Sequence, residues 1–355
     1  AVVGSADCVP AVAEQLADAD LSHPARMALE PMANPAAGAA LREALTKVTG
    51  KQLAGVVSSL GVRRDADAVD ALRGVAGDGD AMIAGGAIGA LGEIGTEQAV
   101  QTLNGLQPPA ALARALARAK ITAASRLFAG GRREPAAGIY RSLMQPQQPE
   151  ATRVAALKGL IGTLPQTEAV KLFVETLAGD DAALRAAALA AYVGSPDRVL
   201  KDAIAAELPG MKPAGQLVLL GVLAGEAEVA ARSAVLRVLE SGGEAETRVA
   251  ALECLALHGE AADVPLVVKL AQAEPAAVAE AARRVLERMS KPGVNDALVR
   301  MIESSPAPDR AVVLAALAAR RVEAALPTLA RLVGGADASL AAEAARALAV
   351  LGSNE

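Results

Sequence analysis

The sequence contains very few aromatic residues and no tryptophan. Aromatic side chains make up 1% of the 355 residues, as two Phe and two Tyr, whereas apolar residues in total reach 53%. A single large core is difficult to fill without rings, but Ala, Leu and Val at this density suit helices that pack closely side by side. The composition therefore excludes an all-β fold, a disordered chain and a collagen-like repeat.

Cysteine, histidine and long apolar runs are also scarce. Cys8 and Cys254 alone give no disulfide framework, and two histidines leave general acid–base catalysis without its usual group. The longest apolar stretches, residues 217–225 and 311–319, fall well short of the roughly 20 residues that a membrane span requires. A net charge of −5 disfavours a protein that depends on binding nucleic-acid phosphates.

A repeat of about 31 residues organises the chain. In segments such as residues 152–160, with the sequence TRVAALKGL, one apolar residue stands near the end of each Ala-rich helical pattern. These positions are Met32, Leu60, Leu91, Leu127, Leu160, Tyr192, Leu223, Leu255, Leu286, Leu317 and Leu348. They define about eleven units, and we call them the marker residues.

Each unit has the pattern of two amphipathic helices joined by a short turn. In one unit, Val249, Leu252 and Leu255 lie at helical spacing, His258 and Gly259 follow them, and a second apolar pattern begins at residue 264. We predict helix ends at Gly61, Gly92, Gly95 and Gly259, and helix starts near Asp181, Asp309 and Asp337. Because a two-helix unit cannot bury its own apolar stripe, the units must stack. The predicted fold is therefore all-α, a right-handed α-solenoid of about eleven helix pairs that runs as one domain through residues 1–355.

Two segments resemble a known repeat. Residues 87–95, AIGALGEIG, with Ala99, Val100 and Leu103, and residues 250–252 leading to 264–266, resemble the short bacterial HEAT repeat, which is also found in phycobilisome bilin lyases. The resemblance implies an armadillo-like superhelix of HEAT-like helix pairs. Residues 21–31, continuing to residues 61–65, further resemble a group of exported bacterial HEAT-repeat proteins, which implies an exported or periplasmic location. The chain itself shows no signal-peptide pattern.

Residues 108–149 depart from the repeat and are the most basic part of the chain. Their spacing predicts one longer helix over residues 112–128 and a helix pair that resembles a TPR unit. Seven basic side chains stand against Glu134 alone, which gives this segment a local charge of +6. The candidate binding residues are Arg114, Arg118, Arg126, Arg132, Arg133, Tyr140 and Arg141, which could bind an acidic protein segment, a phosphate or an acidic glycan. In the alternative interpretation, the arginines form ion pairs with Glu93, Glu97 and Glu168 of neighbouring repeats.

Other candidate motifs are better explained by structure than by chemistry. The arginine pairs at residues 63–64, 132–133 and 320–321 follow first helices, where cations oppose the helix dipole. Cys254 and His258 lie four residues apart on one predicted helix, but without a third ligand they are expected to be a core residue and a last-turn residue. No nucleophile elbow, Walker loop or zinc-protease motif is present, so we predict no catalytic residue, no metal and no cofactor.

The leading functional hypothesis is a non-enzymatic scaffold that binds a protein or peptide, acidic in character, on a concave surface lined by the second helices. Two other classes stay open. One is a protein that handles a ligand or tetrapyrrole in the manner of bilin lyases, and the other is a HEAT-like DNA-binding or glycosylase protein. The acidic, aromatic-poor composition argues against both. Both ends of the chain resemble interrupted repeats, so we expect the parent protein to continue or an end to pack on a partner or on a second copy.

Overall fold

The computed structural model describes residues 6–225 and 232–352, and within these ranges it contains helices and turns but no strand. The all-α prediction is therefore confirmed for these residues. Two compact units divide the chain, the first ending at Ala169 and the second beginning at Val170. The expectation of a single continuous domain stays a prediction.

The first unit is built from helices in consecutive pairs. Its helices are α1 (Val9–Glu14), α2 (Ser22–Leu29), α3 (Pro35–Ala44), α4 (Gly50–Arg63), α5 (Val69–Val75), α6 (Ala81–Ile94), α7 (Glu97–Gly105), α8 (Ala113–Ala129), α9 (Arg133–Leu143) and α10 (Glu150–Thr163), followed by α11 (Gln166–Ala178), within which the unit ends. The longer helix that the sequence predicts over residues 112–128 corresponds to α8.

The second unit continues the same alternation. Its helices are α12 (Ala182–Gly194), α13 (Arg198–Ala206), α14 (Pro213–Leu223), α15 (Arg232–Glu240), α16 (Ala245–His258), α17 (Val264–Leu270), α18 (Ala276–Arg288), α19 (Val294–Ser304), α20 (Ala307–Ala319), α21 (Leu326–Val333) and α22 (Ala338–Gly352). From α2 onward, each even-numbered helix is the first of a pair and the next odd-numbered helix is the second. Residues 6–225 and 232–352 contain ten such pairs, and α22, which carries the last marker residue, corresponds to the first helix of the eleventh predicted unit.

The marker residues are core residues within each of the two units. From Met32 to Leu317, every one of them is at most 7% exposed, and Leu60, Leu91, Leu255, Leu286 and Leu317 are fully buried. Burying one leucine stabilises the fold by about 1.5–3 kcal/mol. The few aromatic rings are used locally, as in the second unit, where the ring centroids of Phe173 and Tyr192 lie 5.9 Å apart.

Aspartates begin several of these helices, as predicted. The side chain of Asp181 accepts hydrogen bonds of 3.1 Å from the backbone N–H groups of Ala183 and Leu184. Asp337 makes the same contacts with residues 339 and 340 at 3.0 Å. Each aspartate satisfies backbone donors that the first turn of a helix leaves free.

Two of the predicted helix ends are wrong. Gly95 does follow the end of α6, with a φ of 62°, but Gly61 and Gly92 lie inside α4 and α6 and are buried. A Cβ on Gly61 would lie 3.0 Å from Cα of Ala90, and a Cβ on Gly92 would lie 2.7 Å from the carbonyl oxygen of Ala119. These glycines therefore allow consecutive first helices to approach closely, and neither ends a helix.

Arginines at the C-terminal ends of first helices donate hydrogen bonds to the end of the preceding first helix. Arg63 Nη1 donates to the carbonyl oxygens of Leu29, Glu30 and Met32 at 2.6, 2.8 and 2.6 Å. Arg320 Nη1 likewise donates to Leu286 O at 2.8 Å. These cations lie at a helix C-terminus, as the sequence predicts, but the carbonyls belong to the preceding repeat.

Candidate functional site

Three of the candidate arginines are engaged in ion pairs between neighbouring repeats. Arg126 pairs with Glu93, Arg132 pairs with Glu97, and Arg141 Nη2 lies 3.4 Å from Glu168 Oε2. These are the three glutamates named in the ion-pair interpretation, which is thereby confirmed for these arginines. All three pairs are partly exposed to solvent, so each contributes at most about 1 kcal/mol.

Tyr140 and Arg133 also have partners within the chain. Tyr140 is 3% exposed, and its hydroxyl lies 2.9 Å from Ser125 Oγ. Its ring packs against Gly159 on α10, where a Cβ would come within 2.4 Å of the ring. The guanidinium of Arg133 lies 5.8 Å from the centroid of the Phe128 ring. Tyr140 is thus part of the packing between α9 and α10, and its side chain is not available on the surface.

Arg114 and Arg118 instead line a groove in the first unit. The groove has a volume of 1080 Å³ and runs along the first helices α4, α6, α8 and α10. Its floor consists of small residues, among them Gly86, Gly89, Ala90, Ala115, Ala119 and Ala155. Because these side chains are short, larger residues at the same positions would narrow the groove.

The groove carries an excess of positive charge. Arg64, Arg114, Arg118 and Arg126 line it together with one acid, Glu93, which pairs with Arg126. Among the residues that the structure describes, neither Arg114 nor Arg118 nor Arg64 forms an ion pair or a side-chain hydrogen bond. Three unpaired guanidinium groups beside small apolar residues leave this surface with uncompensated positive charge.

Arg64 was not among the predicted binding residues. It ends α4 in the left-handed conformation, with a φ of 53°, and this backbone position separates it from its neighbour Arg63. Arg63 turns back to the carbonyls of the preceding repeat, whereas Arg64 lines the groove. The sequence shows two adjacent arginines and no feature that distinguishes their directions.

The location of the groove also differs from the predicted binding surface. We predicted a surface on the second helices, among which are α11 and α13. In the structure, Lys171 Nζ lies 3.9 Å from Glu175 Oε1, and Lys201 Nζ lies 5.4 Å from the centroid of the Tyr192 ring. The arginines that line the groove without a partner, Arg64, Arg114 and Arg118, lie instead on α8 and at the end of α4, which are first helices.

Cys254 and His258 contact backbone carbonyl oxygens of the preceding first helix. Cys254 Sγ donates to Leu220 O at 3.3 Å, and His258 Nε2 lies 3.2 Å from Leu223 O, which as a carbonyl can only accept the hydrogen bond. Both side chains are buried, and burial raises the pKa of the Cys254 thiol to about 12. Within residues 6–225 and 232–352, no group of three or more His, Cys, Asp or Glu side chains is placed to hold a metal ion.

With this geometry established, the chain can be compared with known proteins. Residues 40–121 match the HEAT repeats family. This HEAT-like segment contains α4, α5, α6 and α7 and the first half of α8, so it includes two of the four groove helices completely and a third in part. No curated protein matches the chain. None of the described helices is both long and apolar enough to cross a membrane.

Solved structures that resemble the chain include a hydroxylase, a karyopherin and an engineered protein. Human deoxyhypusine hydroxylase is 17% identical with a TM-score of 0.32, and the alignment covers 90% of this chain and 97% of the enzyme. Kap121p bound to Ste12p is 12% identical with a TM-score of 0.44, covering 99% of this chain and 46% of that one. An engineered protein is 19% identical with a TM-score of 0.34, covering 98% and 95%. The chain thus spans less than half the length of Kap121p.

Proposed function

We propose that this protein is a non-enzymatic interaction scaffold, and that the groove on its first helices binds an acidic segment of a partner protein. The observation that carries the proposal is the set of three unpaired arginines, Arg64, Arg114 and Arg118, around an apolar groove of 1080 Å³. Stacked HEAT-like helix pairs support this function because they present an extended surface rather than an enclosed pocket.

The dimensions of the groove favour a short extended peptide. Neighbouring helices pack about 8–10 Å apart, so four first helices span about 25–30 Å. An extended chain rises about 3.3 Å per residue, and a segment of about eight residues therefore matches this length. Alternating acidic and apolar residues would place carboxylates near the arginines and apolar side chains on the floor.

The test uses fluorescence anisotropy with a labelled ten-residue peptide of alternating Glu and Leu, at about 150 mM salt. A matched peptide with Gln in place of Glu measures the contribution of charge. We expect the acidic peptide to bind at least about tenfold more tightly than the neutral one. Equal binding of the two peptides would contradict the proposal.

Charge reversal locates the site. The double variant R114E/R118E should weaken binding of the acidic peptide by about tenfold or more, which corresponds to about 1.4 kcal/mol. The control K269E/R300E changes the net charge by the same amount at two exposed residues of α17 and α19. It should leave the affinity within about twofold, because these side chains do not line the groove. An equal loss in both variants would mean that only net charge matters.

The same assay distinguishes the alternative of nucleic-acid binding. A labelled DNA duplex should bind more weakly than the acidic peptide at physiological salt, because the chain as a whole is acidic. Tighter binding of the duplex would reassign the groove to nucleic acid. The bilin-lyase type of the repeats, the exported location and self-association through the chain ends stay predictions from the sequence.

A further inference from the structure

A second cavity, separate from the groove, surrounds Lys120 on α8. Its volume is 450 Å³, which lies within the usual range for sites that bind small molecules. It is formed by α7, α8, α9 and the segment that follows α9. The side chains that line it include Val100, Asn104, Lys120, Ile139, Ser142 and Gln148.

Lys120 differs from the other lysines of the described chain. It is partly buried and forms no ion pair or hydrogen bond with any described residue. The other lysines are exposed, except Lys201, whose ammonium lies over the Tyr192 ring. Burial lowers the pKa of Lys120, and no neighbouring carboxylate opposes this effect. A cation that loses water without gaining an anionic partner is unfavourable, so a bound anion would stabilise it.

The polar groups around Lys120 are suited to an anion. The side-chain amides of Asn104 and Gln148 line the cavity and have no partner among the described residues, so each can donate a hydrogen bond. The Ser142 hydroxyl donates to Ile139 O at 2.7 Å and can offer a ligand only its oxygen. No carboxylate lines the cavity, and Val100 and Ile139 provide an apolar wall.

We propose that this cavity binds a small organic monocarboxylate, whose carboxylate pairs with the Lys120 ammonium and accepts hydrogen bonds from Asn104 and Gln148. The apolar part of the ligand lies on Val100 and Ile139. One cation without an anion matches a single negative charge, whereas a phosphate dianion would remain partly unneutralised. This site is independent of the groove and of its proposed partner.

The test measures binding to the full chain by isothermal titration calorimetry at neutral pH. The probes are hexanoate, hexanol with the same apolar body, and inorganic phosphate. Hexanoate should bind with a Kd of about 1 mM, and hexanol and phosphate at least about tenfold more weakly. Equal binding of hexanol, tighter binding of phosphate, or a hexanoate Kd above about 10 mM would each overturn the proposal.

Two variants locate the hexanoate site. Lys120→Met keeps most of the side-chain volume and should weaken hexanoate binding at least about tenfold. Lys158→Met removes an exposed lysine of α10 and should leave it unchanged. If Lys120→Met fails to fold, as judged by circular dichroism, the site is tested in the wild type. The measurement is then the rate at which N-hydroxysuccinimidyl acetate acetylates each lysine, with and without hexanoate. Hexanoate should slow the acetylation of Lys120 but not of Lys158, and equal rates with and without hexanoate would refute the site.

Discussion

The close approach of consecutive first helices can be tested at two glycines of a single helix. Gly89 and Gly92 both lie within α6. A Cβ on Gly92 would lie 2.7 Å from the oxygen and 2.8 Å from the Cα of Ala119, whereas a Cβ on Gly89 would meet nothing within 4 Å. Replacing each glycine with alanine therefore makes the same chemical change in opposite surroundings.

The two substitutions should change stability in opposite directions. Alanine is favoured over glycine in a helix interior by about 0.8–1 kcal/mol, so Gly89→Ala should stabilise the protein by about that amount. Overpacking costs about 1–3 kcal/mol, and the upper half of this range applies at Gly92 because the obstructing atoms are backbone. After the gain in helix propensity, Gly92→Ala should lose about 1–2 kcal/mol. Gly61→Ala, with Ala90 Cα at 3.0 Å, should be nearly neutral.

Urea unfolding followed by circular dichroism at 222 nm measures the effect. The midpoints are compared, because arrays of repeats need not unfold in one step. Adding Ala119→Gly to Gly92→Ala should not restore stability, because the two nearest atoms belong to the backbone of residue 119 and remain. If Gly92→Ala is as stable as Gly89→Ala, or if Ala119→Gly rescues it, the inferred helix contact is wrong.

Two further predictions concern buried polar contacts. Arg63→Met removes hydrogen bonds to three carbonyls of the preceding repeat and should lower the free energy of unfolding in urea by about 2 kcal/mol. Its control, Arg64→Met, changes a side chain with no partner among the described residues and should stay within about 0.5 kcal/mol of the wild type. Equal losses in the two variants would contradict this role for Arg63. With a pKa of about 12, Cys254 is a thiolate in only about one molecule in ten thousand at pH 8, and this fraction rises about tenfold per pH unit below that pKa. Mass spectrometry after iodoacetamide treatment at pH 8 should therefore find Cys254 unmodified in the folded protein and modified in urea, and rapid labelling without urea would show that the thiol is not buried.

Much of the fold follows from the sequence because helical periodicity and turn chemistry are local properties. The marker residues from Leu60 to Leu317 lie within the first helices of their pairs, Met32 follows α2 by three residues, and all of them are buried. The period of the repeat also places Arg126, Arg132 and Arg141 beside glutamates about one unit earlier or later, and these ion pairs form. Spacing alone is enough to predict such contacts between neighbouring repeats.

Other features depend on distances between helices, which the sequence alone does not specify. Gly61 and Gly92 have the pattern of helix ends, but the close approach of the next first helix gives them their role. The backbone conformation of Arg64 separates it from Arg63. The packing of α8 between its neighbours leaves Arg114 and Arg118 unpaired and Lys120 partly buried. The sequence thus determined the repeats, the helices and their buried faces. The tertiary structure decided which charges lie free beside an apolar surface, because that depends on how closely the helices approach and on the direction of each side chain.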